Sequence, residues 1–246
     1  MKALILAAGY ATRLYPLTKE FPKPLLKVRG RPMINYIADK VSGIADVDEI
    51  IVVTNSKFCK DFLSWAKSFK CGKKIRIVDD LTKNLSDRRG AVGDMKFALD
   101  KVKIKDDLLV VGGDNLITDG LNKFINFARK AAGPSVGVYD IKHKREAANY
   151  GVVKLDRFKR IADFKEKPKK PASTLVAMCL YYFPRESLGL LKEYIQENKG
   201  KLDATGFYID WLRNRVPVYG FVFRGTWYDI GDRKFYNRAN KSTLPN

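Results

Sequence analysis

Two cations stand close together on what the sequence predicts to be one ordered loop. Arg13 and Lys23 lie ten positions apart, and two prolines fall between them. The loop follows the short apolar run of residues 2–8, which is typical of a buried parallel strand. The chain then turns at Gly9, where a backbone can approach a ligand closely. A small-residue turn after a first strand, followed by two cations, is suited to hold phosphate groups.

The loop matches neither of two common phosphate-binding motifs. Gly9 has no glycine partners at the spacing of a dinucleotide fingerprint. No Gly-Lys-Ser/Thr follows it, as a Walker A loop requires. On spacing alone, an ordinary strand-to-loop turn with two solvated cations fits equally well.

Carboxylates occur at or near the ends of three later segments. Asp114 directly follows a run of apolar residues and two glycines, at the edge where open α/β sheets bind ligands. Glu166 stands beside Lys167, and Asp229 lies in a turn-like stretch near the end of the chain. Lysine supplies a mobile charge for a phosphate, and glutamate accepts hydrogen bonds from hydroxyl groups. Each segment alone also fits a surface turn.

Composition narrows the classes of protein. The 246 residues carry a formal net charge of +20, and 46% are hydrophobic, which is enough for a core. No apolar run is long enough to span a membrane, and a signal-peptide pattern is lacking. The three cysteines are few and unpatterned, so they indicate a reducing cytoplasm and argue against a disulfide scaffold and a zinc cage.

The positive charge predicts anionic partners. Nucleic acids, triphosphates and sugar phosphates all qualify. The lysines and arginines are spread along the chain, and no zinc finger, basic zipper or RNA-binding motif occurs. We therefore expect no specific nucleic-acid partner and no membrane partner, and we leave open whether the chain forms a homo-oligomer.

Alternating strands and helices predict an α/β fold. Further apolar runs at 50–53, 75–78 and 108–111 indicate buried parallel strands, and a helix is expected to start at 31–32 with proline in its first turn. A second helix is predicted with the following residues on its buried face: Phe58, Phe62, Leu63, Ala66 and Phe69. A helix from about 92 to 100 follows a polar loop.

The chain becomes richer in strands from residue 135. Strands are predicted at 135–141, 150–155, 160–164 and 175–183, with helices at about 186–197 and 207–213. A last β pair is expected within 216–223, and a terminal helix of about 233–241 against the sheet. The whole predicts a Rossmann-like, mostly parallel central sheet flanked by helices, with a small β-rich lobe.

Four segments together carry a longer pattern. Residues 6–14 read Leu-Ala-Ala-Gly-Tyr-Ala-Thr-Arg-Leu and residues 22–26 read Pro-Lys-Pro-Leu-Leu. They are followed in order by Gly-Asp-Asn at 113–115, Glu-Lys-Pro at 166–168 and Trp-Tyr-Asp-Ile-Gly at 227–231. This order resembles the sugar-1-phosphate nucleotidylyltransferases. The resemblance implies their nucleotide-diphospho-sugar transferase fold as a single domain over 1–246, with a nucleotide-binding half of about 1–115 and a sugar-phosphate-binding half of about 116–246.

The resemblance implies a role for each matched position. The implied nucleotide-binding residues are Ala8, Gly9, Thr12, Arg13, Lys23 and Gly90. The implied sugar-phosphate-binding residues are Asn115, Gly151, Glu166 and Lys167, and the implied Mg²⁺ ligands are Asp114 and Asp229. Arg13, Lys23 and Lys167 are the implied catalytic residues. Four residues replace the usual Gly, Glu, Gly and Thr of the family's pattern: Ala11, Lys165, Cys179 and Asp232.

The reaction implied is Mg²⁺-dependent transfer of a nucleotidyl group from a nucleoside triphosphate to a sugar-1-phosphate. By family frequency alone, dTTP or UTP with glucose-1-phosphate is expected. A phosphate monoester is largely ionised at neutral pH, so no general base is needed, which fits a chain whose only histidine is His143.

Three other functions are weighed against this one. The first is a cytidylyltransferase for a phosphorylated alcohol such as phosphocholine, although the sequence shows no aromatic cage for a quaternary amine. The second is a catalytically silent regulatory subunit of the same fold, which loss of one aspartate would favour. The third is a nucleic-acid-binding protein, which predicts tight, salt-sensitive binding without turnover.

Overall fold

Strands and helices alternate through most of the chain. The computed structural model describes residues 1–231 and 233–241. Its strands are β1 (Lys2–Leu6), β2 (Lys27–Val28), β3 (Arg31–Pro32), β4 (Glu49–Thr54), β5 (Lys74–Asp79), β6 (Leu108–Gly112), β7 (Asn115–Ile117), β8 (Ser135–Asp140), β9 (Gly151–Leu155), β10 (Ile161–Glu166), β11 (Leu175–Phe183), β12 (Tyr219–Phe223) and β13 (Trp227–Asp229). Its α-helices are α1 (Met33–Ser42), α2 (Cys59–Ser68), α3 (Gly90–Val102), α4 (Asn122–Ala131), α5 (Lys144–Ala147), α6 (Gly189–Glu197), α7 (Thr205–Leu212) and α8 (Arg233–Lys241).

One large sheet organises these elements. Its strand order is β10-β9-β11-β6-β1-β4-β5, and β8 pairs with both β11 and β12. Strands β6, β1, β4 and β5 run parallel, while β9, β10 and β11 join as antiparallel neighbours. The predicted α/β fold, with a parallel central sheet flanked by helices, is confirmed.

Apolar residues on both faces of the parallel strands explain why helices cover both sides. Ala3 and Ile5 of β1 contact the cluster formed with α1, α2 and α4, while Leu4 contacts the cluster formed with α3, α6 and α7. Successive side chains of a strand point to opposite faces, so a continuous apolar run requires two covering layers. The carboxyl ends of the parallel strands then meet at one edge, where ligands bind in such sheets.

Two predicted helical details were wrong. Arg31 and Pro32 form a short strand paired with β2, and α1 begins only at Met33, because Pro32 keeps an extended conformation. In α2, Leu63 is 46% exposed, and Trp65 takes the buried place instead. The helical period explains this, since Trp65 continues the face that contains Phe62, whereas Leu63 lies about 100° around the helix.

Two predictions for the end of the chain were also wrong. Residues 216–223 do not form a β pair: β12 is a single strand that lies parallel to β8, preceded by Pro217, which has no N–H for a ladder. Helix α8 contacts β2 and β13 rather than the large sheet, and Ala239 is buried there. No helix among the described residues is both long and apolar enough to cross a membrane.

Candidate active site

A cavity of about 520 Å³ opens at the carboxyl end of β1. The loop after β1, from Ala8 to Arg13, forms one wall of this cavity, and Lys23 also lines it. The N-terminal end of α3, beginning at Gly90, forms the opposite wall. The nucleotide-binding residues implied by the sequence therefore lie around one space.

The loop after β1 is fixed by side chains from elsewhere. Asn55 Nδ2 donates to the carbonyl oxygen of Ala8 at 2.9 Å, and Thr18 Oγ1 donates to that of Ala11 at 2.8 Å. Ala11 has φ 48°, in the left-handed region that glycine adopts more easily. Ala11, which replaces the glycine of the family pattern, thus adopts a left-handed conformation that is typical of glycine. The hydrogen bond from the buried Thr18 holds it there.

Gly90 is required by its backbone and by its neighbours. Its φ is +76°, and a Cβ added there would lie 2.6 Å from the carbonyl oxygen of Leu202. Val92 N donates to that same oxygen at 3.0 Å, and Ala91 N donates to the carbonyl of Asp203 at 3.3 Å. Leu202 and Asp203 therefore hold the start of α3 in place, at a distance that only glycine permits.

A second cavity, of about 370 Å³, adjoins the first. Gly151 and Glu166 stand opposite each other in the β9–β10 pair, and Lys167 follows directly. The side chain of Glu166 is only 11% exposed, and this partial burial raises its pKa, while the nearby Lys167 lowers it. The Lys167 ammonium lies 3.8 Å from the Glu166 carboxylate and its side chain is 61% exposed, so it can move toward a ligand.

Two glycines make room for the Glu166 carboxylate. A Cβ on Gly206 would lie 1.9 Å from Glu166 Oε2, and one on Gly151 would lie 3.1 Å from it. A Cβ on Gly151 would also lie 2.4 Å from the ring of Phe164. Because both positions exclude any side chain, the backbone of these two segments sets the position of the carboxylate.

Asp114 and Asp229 reach the junction of the two cavities from neighbouring strands. Strand β7 begins directly after Asp114, and its first residue, Asn115, pairs with Asp229 in β13. Burial raises the pKa of Asp229 to about 6, and the negative charge of Asp114 adds to the rise. Three cations lower that pKa in opposition: Lys23, Arg13 and Lys167. The implied catalytic cations and metal ligands therefore converge.

Lys23 already pairs with one of these carboxylates. Its Nζ lies 2.5 Å from Asp114 Oδ2, and its side chain is largely buried. Arg13 lies close to the other, since a Cβ on Gly231 would be 3.9 Å from both an Arg13 nitrogen and Asp229 Oδ2. The site thus combines two carboxylates with two cations in a confined space.

The two carboxylates fit a magnesium ion that is completed by substrate. Mg²⁺ prefers oxygen ligands and is often held by one or two carboxylates together with phosphates. Among the described residues, no group of three or more His, Cys, Asp or Glu side chains could hold a metal alone. The unfavourable proximity of Asp114 to the buried Asp229 is the kind of repulsion that a divalent cation relieves.

Asn115 lines the second cavity but already uses both ends of its amide. Its Oδ1 accepts from Trp227 Nε1 at 2.7 Å, and its Nδ2 donates to the carbonyl of Cys179 at 3.0 Å. It is only 2% exposed. The structure gives it a bracing role between β7, β13 and β11, and its contact with a sugar stays a prediction.

Cys179 lies where the two cavities meet. A Cβ on Gly112 would be 3.3 Å from its Sγ, and it lines both spaces. Burial raises the pKa of this thiol, and the charge of Asp114 adds to the effect. A protonated thiol is a small, weakly polar group, and this half-buried one occupies space that the glycine of the family pattern would leave open. Asp232, another departure, lies outside the described residues.

All the residues to which the resemblance assigned a binding, catalytic or metal-ligand role line one or both cavities, whereas Lys165 lies in neither. The first cavity includes Ala8, Gly9, Thr12, Arg13, Lys23, Gly90 and Asp114, and the second includes Arg13, Lys23, Asp114, Asn115, Gly151, Glu166, Lys167 and Asp229. Sequence reasoning missed Gly206, Asp203 and Asp94, which also line these spaces. Only Asp94 had a local signal, because it is an acid among the apolar residues of α3.

Comparison with known proteins shows the family of the chain. Residues 2–245 match the family described as nucleotidyl transferase. The chain belongs to that family. A bifunctional protein GlmU of Methanocaldococcus jannaschii is 28% identical over 246 residues, which are 99% of this chain and 54% of the relative. The chain thus spans about half the length of that relative.

Other relatives of the chain carry different names. A protein of Sulfolobus acidocaldarius, whose name suggests mannose-1-phosphate guanyltransferase activity, is 30% identical over 99% of this chain and 63% of its own length. A solved UDP-glucose pyrophosphorylase, in complex with UDP-glucose, has a TM-score of 0.81 at 21% identity and covers 97% of this chain, which in turn covers 96% of it. At this identity the structural likeness supports the fold.

Proposed function

We propose that the chain transfers a nucleotidyl group from a nucleoside triphosphate to a sugar-1-phosphate, releasing pyrophosphate. The observation that carries this proposal is the meeting of the two cavities at Arg13, Lys23 and Asp114, which line both. A triphosphate in the first cavity and a sugar phosphate in the second would bring two anions together at these residues. The names of several relatives support the same class of reaction.

Positioning and charge stabilisation are the work of the protein in this proposal. Arg13 and Lys23 would hold the phosphates of the leaving pyrophosphate, and Lys167 the attacking sugar phosphate. Glu166 would accept hydrogen bonds from sugar hydroxyls. The attacking phosphate monoester has a second pKa of about 6 and needs no general base. Cations that counter the repulsion between two phosphates supply the main stabilisation.

Asp114 and Asp229 would hold Mg²⁺. When bound, the ion supplies charge neutralisation and a template for the two substrates' phosphates. Lys23 pairs with Asp114 at the same place, so this lysine can exchange between the carboxylate and a phosphate. The first cavity is lined mainly by residues before 115 and the second mainly by residues after it, which supports the proposed nucleotide and sugar-phosphate halves.

A cytoplasmic location stays a prediction.

The aromatic residues of the second cavity favour one alternative substrate class. Tyr150, Phe164, Tyr181, Trp227 and Phe235 line it together with carboxylates. No such cage was recognised in the sequence, because these residues come from separate segments. Aromatic faces attract quaternary ammonium groups, so a phosphorylated alcohol such as phosphocholine is the second candidate acceptor. The same faces also suit the apolar face of a sugar ring.

The test is pyrophosphate release across a matrix of substrates. The protein is incubated with Mg²⁺, each of five nucleoside triphosphates, and sugar-1-phosphates including glucose-1-phosphate, with phosphocholine as the alcohol phosphate. Turnover is expected with glucose-1-phosphate and either dTTP or UTP, the substrates that the resemblance implies. Failure of every pair with a folded, Mg²⁺-bound protein would favour the silent regulatory subunit instead.

Two sets of variants assign the roles. Asp114→Asn and Asp229→Asn should each remove most activity, and the double variant should lose little more, because residues that share one metal are non-additive. Additive losses with unchanged Mg²⁺ dependence would show that they do not share it. Lys167→Ala should lower the rate by about 10²–10³ without weakening triphosphate binding. Lys165→Ala is the matched control, since this neighbouring lysine lies outside both cavities.

A further inference from the structure

A third cavity, of about 840 Å³, shares no lining residue with the two cavities of the candidate active site. It lies between the start of α4 and strand β12, and we call it the α4–β12 groove. Two partly buried aromatic rings line it, Phe127 of α4 and Phe221 of β12, with centroids 5.5 Å apart. Three exposed cations line it as well: Lys123, Lys159 and Arg224.

The positive charge of the groove is largely uncompensated. Within residues 1–231 and 233–241, the side chains of Lys123, Lys159 and Arg224 form no ion pair. Asp119 is the acid that lines the groove, and its Oδ2 already accepts from the backbone nitrogens of Arg224 at 3.0 Å and Gly225 at 2.7 Å. The groove therefore attracts an anionic ligand.

The turn between β9 and β10 extends this basic surface, because Lys159 belongs to both. Its neighbour Phe158 is 60% exposed, and the guanidinium groups of Arg157 and Arg160 lie 4.7 and 5.9 Å from the centre of the ring. The carboxylate of Asp156 accepts from the backbone nitrogens of Phe158 and Arg160, both at 2.8 Å. This hydrogen-bonded turn thus presents an aromatic ring among cations.

The edge of β12 is closed to an added peptide strand. One edge of β12 pairs with β8. On the other edge, Gly220 N donates to the carbonyl of Lys159 at 2.8 Å, and Arg224 N donates to Asp119. N–H groups on one edge of a strand recur every second residue, so only that of Val222 remains between them. Strand addition draws its affinity from a row of main-chain hydrogen bonds, and a single N–H does not supply one.

We propose that the α4–β12 groove and the β9–β10 turn bind a single-stranded nucleic acid, whatever its sequence. Proteins hold such strands with a positively charged groove for the phosphates and aromatic side chains on which bases stack. The groove cations supply the first part, and Phe158 supplies an exposed ring for the second. A duplex keeps its base faces covered, and a flat membrane surface would not enter the groove to reach Phe127 and Phe221. This function goes beyond nucleotidyl transfer and does not depend on it.

Fluorescence anisotropy with labelled RNA of about twelve nucleotides tests the proposal at physiological salt. Oligouridylate should bind about tenfold tighter than a duplex of equal length, although the duplex has the higher charge density. UTP with Mg²⁺, added to fill the first cavity, should leave this affinity unchanged, because the groove lies apart from it. Equal or tighter binding of the duplex, or displacement by UTP, would overturn the proposal.

Two variants assign the binding to this face. Phe158→Ala should weaken binding of the single strand about tenfold or more and remove most of the preference over the duplex. Phe207→Ala is its control, since this exposed ring also has a lysine, Lys201, over it but lies on α7, on the opposite face of the sheet from α4. Lys123→Gln should lower the slope of log K against log salt concentration by about 0.7, whereas the exposed Lys192 of α6 should not when changed to glutamine.

Other occupants of this face would give different results. Polyglutamate that competes as well as RNA would show attraction by charge alone, and phosphatidylserine vesicles bound through Phe158 in place of RNA would show a membrane surface. Either outcome overturns the proposal, and so does a Phe158→Ala variant that binds RNA like the wild type. None of these measurements involves turnover, so their outcome is separate from that of the proposed reaction.

Discussion

Replacing Asp94 by asparagine should make the protein's stability less dependent on pH. The pKa of Asp94 is raised from 3.8 to about 8, mainly by burial and then by Asp80. Below pH 4 the carboxyl is protonated in both folded and unfolded chains and contributes no difference. Between about pH 4 and 8 only the folded chain keeps the proton, so the free energy of unfolding falls as the pH rises.

The size of this effect follows from the shift. One pH unit corresponds to about 1.4 kcal/mol, and the interval from 3.8 to about 8 spans roughly four units. The wild type should therefore lose at most about 6 kcal/mol of stability from this group across that range. The shifted pKa already includes two smaller effects, since Arg89 lowers the pKa of Asp94 and Asp203 raises it.

Urea unfolding at pH 5, 6, 7 and 8 measures the effect. The difference in unfolding free energy between Asp94→Asn and the wild type should increase in favour of the variant as the pH rises. Asp100→Asn is the control, because Asp100 lies on the same helix with its side chain 65% exposed. A difference that stays constant from pH 5 to pH 8 would refute a protonated, buried Asp94.

Three further outcomes are expected. Gly206→Ala should displace Glu166 and so raise the KM for the sugar phosphate about tenfold or more, while calorimetry shows unchanged triphosphate binding. Gly189→Ala is the control: this glycine also starts a helix but has no neighbour within 4 Å, so its KM should not change. Gly90→Ala should lower the unfolding free energy by about 3 kcal/mol, since it combines a positive φ with a backbone clash. Gly30→Ala, with a positive φ but no neighbour within 4 Å, should cost only about 1 kcal/mol in the same urea titration. Binding to duplex DNA or RNA should be weak, with a dissociation constant of about 10⁻⁴–10⁻⁶ M at physiological salt, and a nanomolar complex in a filter-binding assay would contradict this.

Continuous apolar runs made the sheet predictable. The strand expected at 175–183 appears as β11 with the same ends, because its residues are apolar over nearly the whole length. Helical phase was harder to read where apolar residues were adjacent, as at Leu63 and Trp65, because only one face of the helix meets the core. Pairing could not be read at all for β12, since its parallel partner β8 lies far away in the sequence.

The residues of the site also fall into those that the sequence reveals and those that it does not. Residues within compact motifs, such as Arg13 and Lys23, could be found by resemblance because the motif is contiguous. Asp80 and Asp94 could not, since neither stands out alone in the sequence and only the fold brings α3 beside the residue that follows β5. Gly206 was missed for the same reason: what requires a glycine there is a carboxylate from a different strand.

The segment 202–206 contacts a wall residue of each cavity. The carbonyl groups of Leu202 and Asp203 accept hydrogen bonds from the start of α3, just after Gly90. Gly206, three residues further on, packs against the carboxylate of Glu166. A shift of this segment on filling one cavity would therefore be transmitted to the other, so the two substrates should bind cooperatively. Such linkage is reciprocal: the factor by which the triphosphate changes the affinity for the sugar phosphate must equal the factor in the reverse direction.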